Sequence, residues 1–331
     1  MRREHLDYLI CPDCHGNLKI NTIEIENDSH IEEGSLKCDS CSVQFPIIHY
    51  IPRFVPIDNY ADSFGYEWMT HARTQYDTEM GDSISKKRFF TETNWPREKK
   101  GEIILEAGCG SGRFTEQAAS TGAMVISFDY SRAVEANFAT NGMKENVLII
   151  QADIFSMPFE KEFFDRIFCI GVLQHTPNPK KGFHCLTEKL KYGGHIVVDL
   201  YRKYGFFKQL LITKYWVRPI TRHIQPEKLY RWCRTYVYFM WPLSSFLSKR
   251  FGDFGKKINW TLLVADYRGV LTLSEDKLKE MAVLDTFDML SPMYDYPQTL
   301  TEVLKWFKEA GLSMIEVDYG FNGIYGRGKK Y

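Results

Sequence analysis

Short apolar runs alternate with amphipathic stretches between residues 101 and 202, a pattern typical of alternating strands and helices. The first run leads directly into a cluster of glycines. The run at 163–171 is almost continuously apolar, as expected for a strand that is covered on both faces. This part of the chain is therefore predicted to be an α/β unit with a parallel sheet. Further strands are predicted at 123–128, 147–151 and 195–201, with helices at 112–121 and 179–191.

The same alternation returns near residue 300. Apolar residues recur at helical spacing within 298–310, and Gly311 suits the left-handed residue that ends a helix. Two strands, 312–319 and 323–329, are then predicted to close the sheet as a hairpin. The apolar helical positions are Leu300, Val303, Leu304 and Phe307.

Residues 203–297 interrupt the alternation and are predicted to form a helical insert. A long helix is expected to bury one apolar face, and Pro242 should kink it or begin a new helix. The predicted buried face consists of Leu229, Trp232, Cys233, Tyr236, Met240, Leu243 and Leu247, and the opposite side carries Arg231, Arg234, Tyr238 and Trp241.

The overall charge balance hides a strongly basic segment. The 331 residues contain 42 Lys and Arg against 42 Asp and Glu, yet residues 201–260 hold 13 basic residues, 16 aromatic residues and only two acids. Rings and cations together favour a membrane interface, a nucleic acid or an anionic substrate as partner. The alternative is a helical cap whose aromatic residues form its own core and whose lysines are solvated.

The most specific motif is Glu-Ala-Gly-Cys-Gly-Ser-Gly at residues 106–112. Alternate glycines allow a sharp backbone bend and the close approach of a ligand. The spacing differs from the dinucleotide fingerprint, which would need glycine where this chain has Arg113. Two acids follow later strands, Asp129 and Asp153. A carboxylate at the first position can accept two hydroxyl groups of a ligand, and one at the second can accept an amino group. Capping of the following helix is the structural alternative.

The glycine motif and the two strand-end acids resemble the S-adenosylmethionine (SAM) site of class I methyltransferases. The resemblance covers residues 101–202 and 298–331, and its core loops look most like those of quinone-biosynthesis methyltransferases. It implies a seven-stranded Rossmann-like sheet in the order 3-2-1-4-5-7-6, with strand 7 antiparallel. It also implies SAM as cofactor and places His175 at the reaction centre as a candidate catalytic base. The implied cofactor-binding residues are Glu106, Gly108, Gly110, Gly112, Asp129, Tyr130, Asp153, Ile154 and Gln174.

Two Cys-x-x-Cys pairs, Cys11/Cys14 and Cys38/Cys41, precede this unit. Four thiolates from two tight turns suit structural zinc, with rubredoxin-like iron or a disulfide pair as alternatives. Residues 1–56 resemble the zinc ribbons of rRNA guanine-N1 methyltransferases and the free-standing activator of tRNA and translation-factor methyltransferases. Such a module holds RNA, binds a partner or docks on the catalytic domain. Docking is the expectation here, because acids crowd residues 24–33.

Residues 57–100 are predicted to form a helical lid. Its aromatic residues Phe64, Tyr66 and Trp68 either pack over the cofactor or belong to the core. A lid would exclude water from the methyl donor. The last part of the insert offers Asp285, Asp288, Tyr294 and Asp295 as a substrate wall, with a loop that caps the next helix as the alternative.

The leading functional hypothesis is an O-directed methyltransferase acting on a small, glycosidic or lipid-linked acceptor. An RNA base methyltransferase is the alternative, and a non-catalytic SAM-binding regulator is a third class. No Pro-Pro-Tyr or Pro-Cys motif follows the fourth strand, which argues against adenine-N6 and cytosine-C5 chemistry. Eight cysteines without a secretory signal predict a cytoplasmic protein, with peripheral contact at the inner membrane surface through 203–260. No window reaches about 17 apolar residues, so no transmembrane segment is predicted.

Overall fold

The computed structural model describes residues 1–57, 59–81 and 83–331, without the side chains of Phe206 and Lys208. Residues 1–56 form a four-stranded antiparallel sheet in sequential order, preceded by a 3-10 helix at Arg3–Tyr8. The first two strands pair as an antiparallel hairpin. The strands are β1 (Leu18–Asn27), β2 (His30–Cys38), β3 (Gln44–Ile48) and β4 (Ile51–Pro52).

The larger sheet has seven strands, and its order confirms the predicted α/β class and the 3-2-1-4-5-7-6 arrangement. Six strands run in one direction, and the last strand lies antiparallel between its neighbours. In chain order the strands are β5 (Ile103–Ala107), β6 (Met124–Asp129), β7 (Val147–Gln151), β8 (Phe164–Ile170), β9 (Leu190–Leu200), β10 (Leu312–Tyr319) and β11 (Ile324–Lys330).

Helices cover both faces of this sheet and build the insert. Three short helices precede β5, in the region predicted as a lid. The helices are α1 (Asp62–Thr70), α2 (Asp77–Met80), α3 (Ile84–Thr93), α4 (Arg113–Ala119), α5 (Ala133–Asn141), α6 (Pro179–Lys189), α7 (Phe206–Leu210), α8 (Lys214–Thr221), α9 (Pro226–Thr261), α10 (Glu275–Leu290) and α11 (Leu300–Glu309).

One element boundary was predicted wrongly. The sequence suggested a helix to residue 191 and a turn at Tyr192, but α6 ends at Lys189 and β9 begins at Leu190. The early part of β9 pairs with Phe164, and a register shift then brings His195 opposite Arg166. Cross-strand pairing therefore outweighs the local turn signal of the two glycines that follow Tyr192.

The insert differs from its prediction in two respects. Pro242 lies within α9 without breaking it, and the helical backbone is interrupted at Gly252, which has φ 55° and ψ −132°. The buried stripe of α9 also differs, since Trp232 and Leu243 are exposed whereas Trp241 is buried. Helix α10 packs along α9, and this tertiary neighbour selects the buried face. That face consists of Leu229, Cys233, Val237, Trp241 and Ser244.

The amino-terminal sheet docks on the edge of the large sheet, as expected from the sequence. The Arg53 guanidinium is buried and donates hydrogen bonds to Gln151 Oε1 at 2.9 Å and to Glu135 Oε1 at 3.1 Å. The Tyr50 and Phe138 rings stack at 5.2 Å. One hydrophobic cluster continues from the small sheet into the large one, so the two sheets share a core.

Candidate functional site

A cavity of about 920 Å³ opens at the carboxyl ends of the parallel strands. Loops after β5, β6, β7, β8 and β9 form its floor, while α1 and the insert form its walls. Parallel strands of this order commonly bind ligands at this edge. Of the predicted site residues, those lining the cavity are Gly108, Gly110, Asp129, Tyr130, Asp153, Ile154, His175, Asp285 and Asp288.

The glycine loop forms a close-packed part of the floor. Gly108 and Gly110 both have positive φ, at 77° and 50°. A side chain at Gly108 would collide with Val172, and one at Gly110 would come within 3.1 Å of the Trp68 indole nitrogen. Gly112 faces the protein interior instead, where a side chain would collide with Asn137. The absence of a side chain at Gly108 and Gly110 therefore keeps the cavity open. At Gly112 it allows the loop to pack closely against the protein interior.

Glu106 lies beneath this loop and is not among the described residues that line the cavity. Its buried carboxyl group accepts hydrogen bonds from Thr115 and from Ser127, the latter at 2.7 Å. Burial raises the pKa of Glu106 to about 8, against the opposing effect of the two hydroxyls. In the structure, Glu106 therefore supports the glycine loop from inside the protein. The resemblance had implied that Glu106 binds the cofactor.

The two strand-end acids both reach the cavity. Asp129 accepts a hydrogen bond from the Gly110 amide at 3.0 Å on one oxygen, and Ser131 donates two to the other. These bonds use three of about four acceptor positions, so a single position is left rather than the two that the sequence suggested. Asp153 accepts from the Phe155 amide at 2.9 Å through one oxygen. Burial raises the pKa of both carboxyl groups.

An aromatic wall stands beside these acids. Tyr60 lines the cavity and packs on Tyr130 at 4.8 Å and on Tyr294 at 5.3 Å between ring centroids. The sequence analysis missed Tyr60, because nothing in its local pattern distinguishes it from a linker residue. Phe64 and Trp68 of the predicted lid also line the cavity, while Tyr66 packs into the insert against Tyr230 and Phe287.

His175 is held in one orientation at the cavity wall. Its Nδ1 lies 2.9 Å from the Tyr294 carbonyl oxygen, which can only accept, so Nδ1 carries the proton. Nε2 is then the unprotonated nitrogen. The ring packs between Phe64 at 5.0 Å and Tyr201 at 5.2 Å. Burial lowers the pKa of His175 below its usual value and outweighs the attraction of Asp288 and Asp295. A neutral imidazole with a free lone pair can accept a proton near pH 7.

The neighbouring Gln174 lies away from the lining of the cavity among the described residues. Its backbone oxygen accepts from the Tyr296 amide at 2.8 Å, while its side-chain amide is buried without a hydrogen-bond partner in the described part of the chain. The backbone bond ties the loop after β8 to the end of the insert.

Three carboxyl groups, from buried Glu67 and from half-buried Asp285 and Asp288, line the same cavity. We call this part of the cavity the upper chamber. Tyr201 donates a hydrogen bond to Asp288 at 3.1 Å, and Tyr267 donates one to Asp285. Burial and Asp288 raise the pKa of Asp285 to about 7. Neither oxygen of Glu67 has a partner among the described residues, and burial holds the pKa of Glu67 well above its usual range. Sequence reasoning missed Glu67, although an acid between Tyr66 and Trp68 on an apolar helix was a usable signal.

Asp295 and Tyr294 are the other two residues that were predicted to form the substrate wall. Asp295 pairs with Lys214 at 2.9 Å and with Arg218. Burial by itself would raise the pKa of Asp295, but the two cations bring this pKa down to about 2. Tyr294 contributes its backbone oxygen to His175. Neither residue belongs to the described lining of the cavity. The alternative of a loop also fails for Asp285 and Asp288, which lie in α10.

The four predicted metal ligands, Cys11, Cys14, Cys38 and Cys41, converge. Their sulfur atoms all lie within 4.8 Å of one another. The Cys11–Cys41 and Cys14–Cys38 sulfur separations are 3.7 and 3.4 Å. A tetrahedral metal with bonds of about 2.3 Å requires sulfur atoms roughly 3.8 Å apart, whereas a disulfide requires about 2 Å.

Comparison with known families agrees with this architecture. The methyltransferase domain model matches residues 105–198, and the Trm112p-like protein model matches residues 2–48. Together with the strand order, the first match confirms the class that the sequence indicated. The chain carries a class I SAM-dependent methyltransferase domain.

Among curated proteins, the chain is similar to the ubiquinone biosynthesis O-methyltransferase of Alkalilimnicola ehrlichii. The two are 27% identical over 147 residues, which is 41% of this chain and 60% of that protein. This chain is also 31% identical over 99 residues to the demethylmenaquinone methyltransferase of Clavibacter sepedonicus, covering 30% of this chain and 40% of that protein. The chain thus spans about 60% or less of these relatives' lengths.

Solved structures give only distant likenesses. A putative SAM-dependent methyltransferase from Methanococcus maripaludis aligns with a TM-score of 0.44 at 15% identity, covering 83% of this chain and 96% of that one. The complex of the Haloferax volcanii Trm112 methyltransferase activator with a putative methyltransferase aligns with a TM-score of 0.46 at 12% identity, covering 81% and 97%. Similarity at this level does not bear on function.

Proposed function

We propose that this protein is a SAM-dependent O-methyltransferase for a hydroxyl-bearing small-molecule, glycosidic or lipid-linked acceptor. One observation carries the proposal: a single cavity joins the glycine loop, the acid at the end of β6 and a neutral His175 whose Nε2 is free. Bound SAM would supply an electrophilic sulfonium methyl group. The remaining requirements are to hold the two reactants in line, to exclude water and to accept a proton.

The residues on the floor fit SAM. Gly108 and Gly110 leave backbone exposed where the nucleoside would lie, and a side chain at either position would collide with Val172 or crowd Trp68. Asp129 keeps one acceptor position for a ribose hydroxyl, and Asp153 keeps one oxygen for an amino group. Tyr130 and Ile154, which follow these acids, line the same part of the cavity.

The upper chamber supports an acceptor rich in hydroxyl groups. Glu67 is buried and Asp285 and Asp288 are half-buried. With raised pKa values, Glu67 and Asp285 can each donate a hydrogen bond as well as accept one. Acceptor hydroxyls offer both roles. His175 would take the proton of the hydroxyl that attacks. The relatives named for quinone biosynthesis support methylation of an oxygen atom. The insert leaves room for an acceptor molecule other than a quinone.

The experiment combines purified protein, SAM labelled in its methyl group and an extract of the source cells. The products are separated into RNA, protein, organic-soluble and aqueous fractions. Label in the organic or aqueous fraction is expected. Label in the RNA or protein fraction would overturn the acceptor class, whereas no label despite SAM binding would support a non-catalytic regulator. Gly110→Val and Asp129→Ala should each abolish SAM binding in calorimetry without loss of fold. Retained affinity in both variants would contradict the SAM assignment.

A second candidate, RNA base methylation, is favoured by one observation, the match of residues 2–48 to a Trm112p-like protein. Against it, the acids of residues 24–33 lie on the small sheet, which already docks on the large one. Label that appears in RNA, together with a steep loss of binding with salt, would promote this candidate.

Zinc at Cys11, Cys14, Cys38 and Cys41 belongs to the same proposal. The sulfur separations support a tetrahedral tetrathiolate site, in which iron would have similar geometry. None of the described helices combines the length and hydropathy needed to cross a bilayer. A cytoplasmic location stays a prediction from the sequence.

A further inference from the structure

Two segments of the insert leave large apolar side chains exposed to solvent. On α9, Phe239, Leu243 and Phe246 are exposed at spacings of four and three residues, and Phe239 is 79% exposed. On α8 and just before it, Leu211, Trp216 and Ile220 are exposed as well. We call these six residues the insert surface. Single exposed apolar residues are ordinary, but a helical stripe of them marks an interaction site.

The insert surface is distinct from the stripe of α9 that forms the core of the insert. Val237 and Trp241 on that inner stripe are buried against the α10 side, where Leu278 and Ala282 belong to the same cluster. Helix α9 is therefore apolar on two sides, and only one of them is covered within the described residues. The uncovered side needs an occupant from outside the chain.

Cations lie along the same helix. Lys228, Arg231, Lys249 and Arg250 are exposed, and none of them forms an ion pair within the part of the chain that the structure describes. The acids of residues 201–260 are only Glu227 and Asp253, and Asp253 already pairs with Lys256 at 2.9 Å. The charge that would complement this helix is therefore negative and must come from the occupant.

We infer that the insert surface binds the surface of an anionic lipid bilayer. Exposed aromatic and aliphatic side chains beside lysine and arginine suit the boundary between headgroups and hydrocarbon. A second copy of the chain is a poorer occupant, because a symmetric contact would bring these cations against themselves. Nucleic acid is also poorer, because only three of the six residues carry rings, and Leu211, Ile220 and Leu243 offer none on which a base could stack.

The inference has a consequence for the cavity that rests on the proposed function. Leu211 belongs both to the insert surface and to the cavity lining, and Trp260, which also lines the cavity, is partly exposed. The cavity therefore opens beside the membrane-binding surface. A lipid-linked acceptor would pass from the bilayer into the chamber without crossing water.

The test is flotation of the full-length protein with vesicles, without SAM or acceptor. One set of vesicles is phosphatidylcholine, and the other contains roughly one third phosphatidylglycerol, so that only the second is anionic. The protein should float with the anionic vesicles. Trp216→Ser combined with Ile220→Ser should weaken that binding about tenfold or more, because two large apolar side chains no longer enter the interface. The matched control combines Met143→Ser with Met314→Ser, which are similarly exposed outside the insert.

A second pair of variants tests the charges. Arg231→Glu with Lys249→Glu should lower binding to anionic vesicles by about tenfold or more. Lys100→Glu with Lys308→Glu, exposed elsewhere, should leave it unchanged. Equal flotation with both vesicle types, no flotation, or control variants that lose as much would each overturn the inference. So would a dimer in sedimentation velocity that Phe239→Ser dissociates, or binding of a homopolymeric RNA without binding of vesicles.

Calorimetry with SAM on the same preparations separates this inference from the proposed function. Protein that binds SAM but does not float disproves the membrane inference alone. Protein that floats but does not bind SAM disproves the proposed function alone.

Discussion

At the scale of single residues, neighbours that are distant in sequence set the chemistry of the site. The imidazole of His175 is oriented by the backbone of Tyr294, which lies 119 positions along the chain. The Glu106 carboxyl group is held by Thr115 and Ser127, so an acid that heads the glycine motif supports the loop from below. In both cases the residue type is visible in the sequence, but its role depends on what the fold brings next to it.

The proposed role of His175 predicts a loss of turnover without a loss of cofactor. His175→Asn should lower the rate of methyl transfer by about 10²-fold or more, since a positioned base contributes on that order. SAM affinity in calorimetry should stay the same. His184→Asn, a partly exposed histidine on α6, is the control. Unchanged turnover in His175→Asn would remove this residue from the mechanism.

The pH dependence of the reaction follows from the same residue. Because burial lowers the pKa of His175, more than half of this base is neutral at pH 6.5, where an ordinary histidine is half protonated. The acid limb of the pH–rate profile should therefore lie below pH 6.5. A limb at or above that value would show that another group titrates.

Buried Glu106 predicts an unusual pH dependence of stability. An ordinary glutamate has a pKa near 4.5, whereas that of Glu106 is about 8 in the folded state. Between these values the folded protein keeps a proton that the unfolded chain releases. The stabilisation of the folded state by this retained proton is therefore fully present below about pH 4.5 and is lost as the pH rises towards 8. Glu106→Gln keeps an acceptor oxygen and removes this titration. Its melting temperature should rise relative to wild type between pH 5 and pH 8, and exposed Glu98→Gln should show no such change.

At the scale of elements, α9 shows how packing overrides a local signal. Pro242 predicted a kink or the start of a new helix, yet the helix continues past it and reverses ten residues later at Gly252. The returning segment lies against the first, with the Asn259 amide donating to the Ser244 carbonyl oxygen at 3.0 Å. Gly255 lies close against the backbone of Leu247 and Ser248 on the first segment, and its φ is not in the left-handed region. Sequence alone cannot distinguish such a contact glycine from a turn glycine.

This close approach predicts a large effect from one methyl group. In Gly255→Ala the new side chain would collide with the backbone carbonyl of Leu247, which cannot rotate away. We expect a loss of about 2 kcal/mol or more in the free energy of unfolding, measured by urea denaturation. Gly205→Ala, where the added carbon meets nothing, should change it by no more than about 0.5 kcal/mol. Equal effects of the two variants would place the close contact elsewhere.

At the scale of the whole molecule, the small amino-terminal sheet and the methyltransferase sheet are built as one body. Leu36 and Ile47 of the small sheet belong to the same hydrophobic cluster as Leu105 and Ile126 of the large one. The ion pair between buried Arg53 and partly buried Glu135 crosses the boundary at 3.1 Å. Loss of the small sheet should therefore destabilise the entire protein.

The proposed metal site allows a direct test of this coupling. The purified protein should contain about one zinc per chain by elemental analysis, and chelation should lower the melting temperature of the whole protein. Cys14→Ser should have the same effect, because it removes one of the four thiolates. Cys185→Ser, outside the cluster, should leave the metal content unchanged. Iron in place of zinc would confirm the thiolate site and correct the metal.

The sequence by itself determined the strands of the large sheet, the glycine loop and the four cysteines. Each of these depends on local periodicity or on fixed spacing, which the chain carries wherever it folds. The order of the strands was implied by the resemblance of these motifs to class I methyltransferases. Only the tertiary structure decided that Glu106 lies under the loop, that Glu67 and Tyr60 reach the cavity, and which side of α9 is buried. Those properties arise from contacts between segments far apart in the chain, so burial and charge at these residues are fixed only when the insert, the lid and the sheet come together.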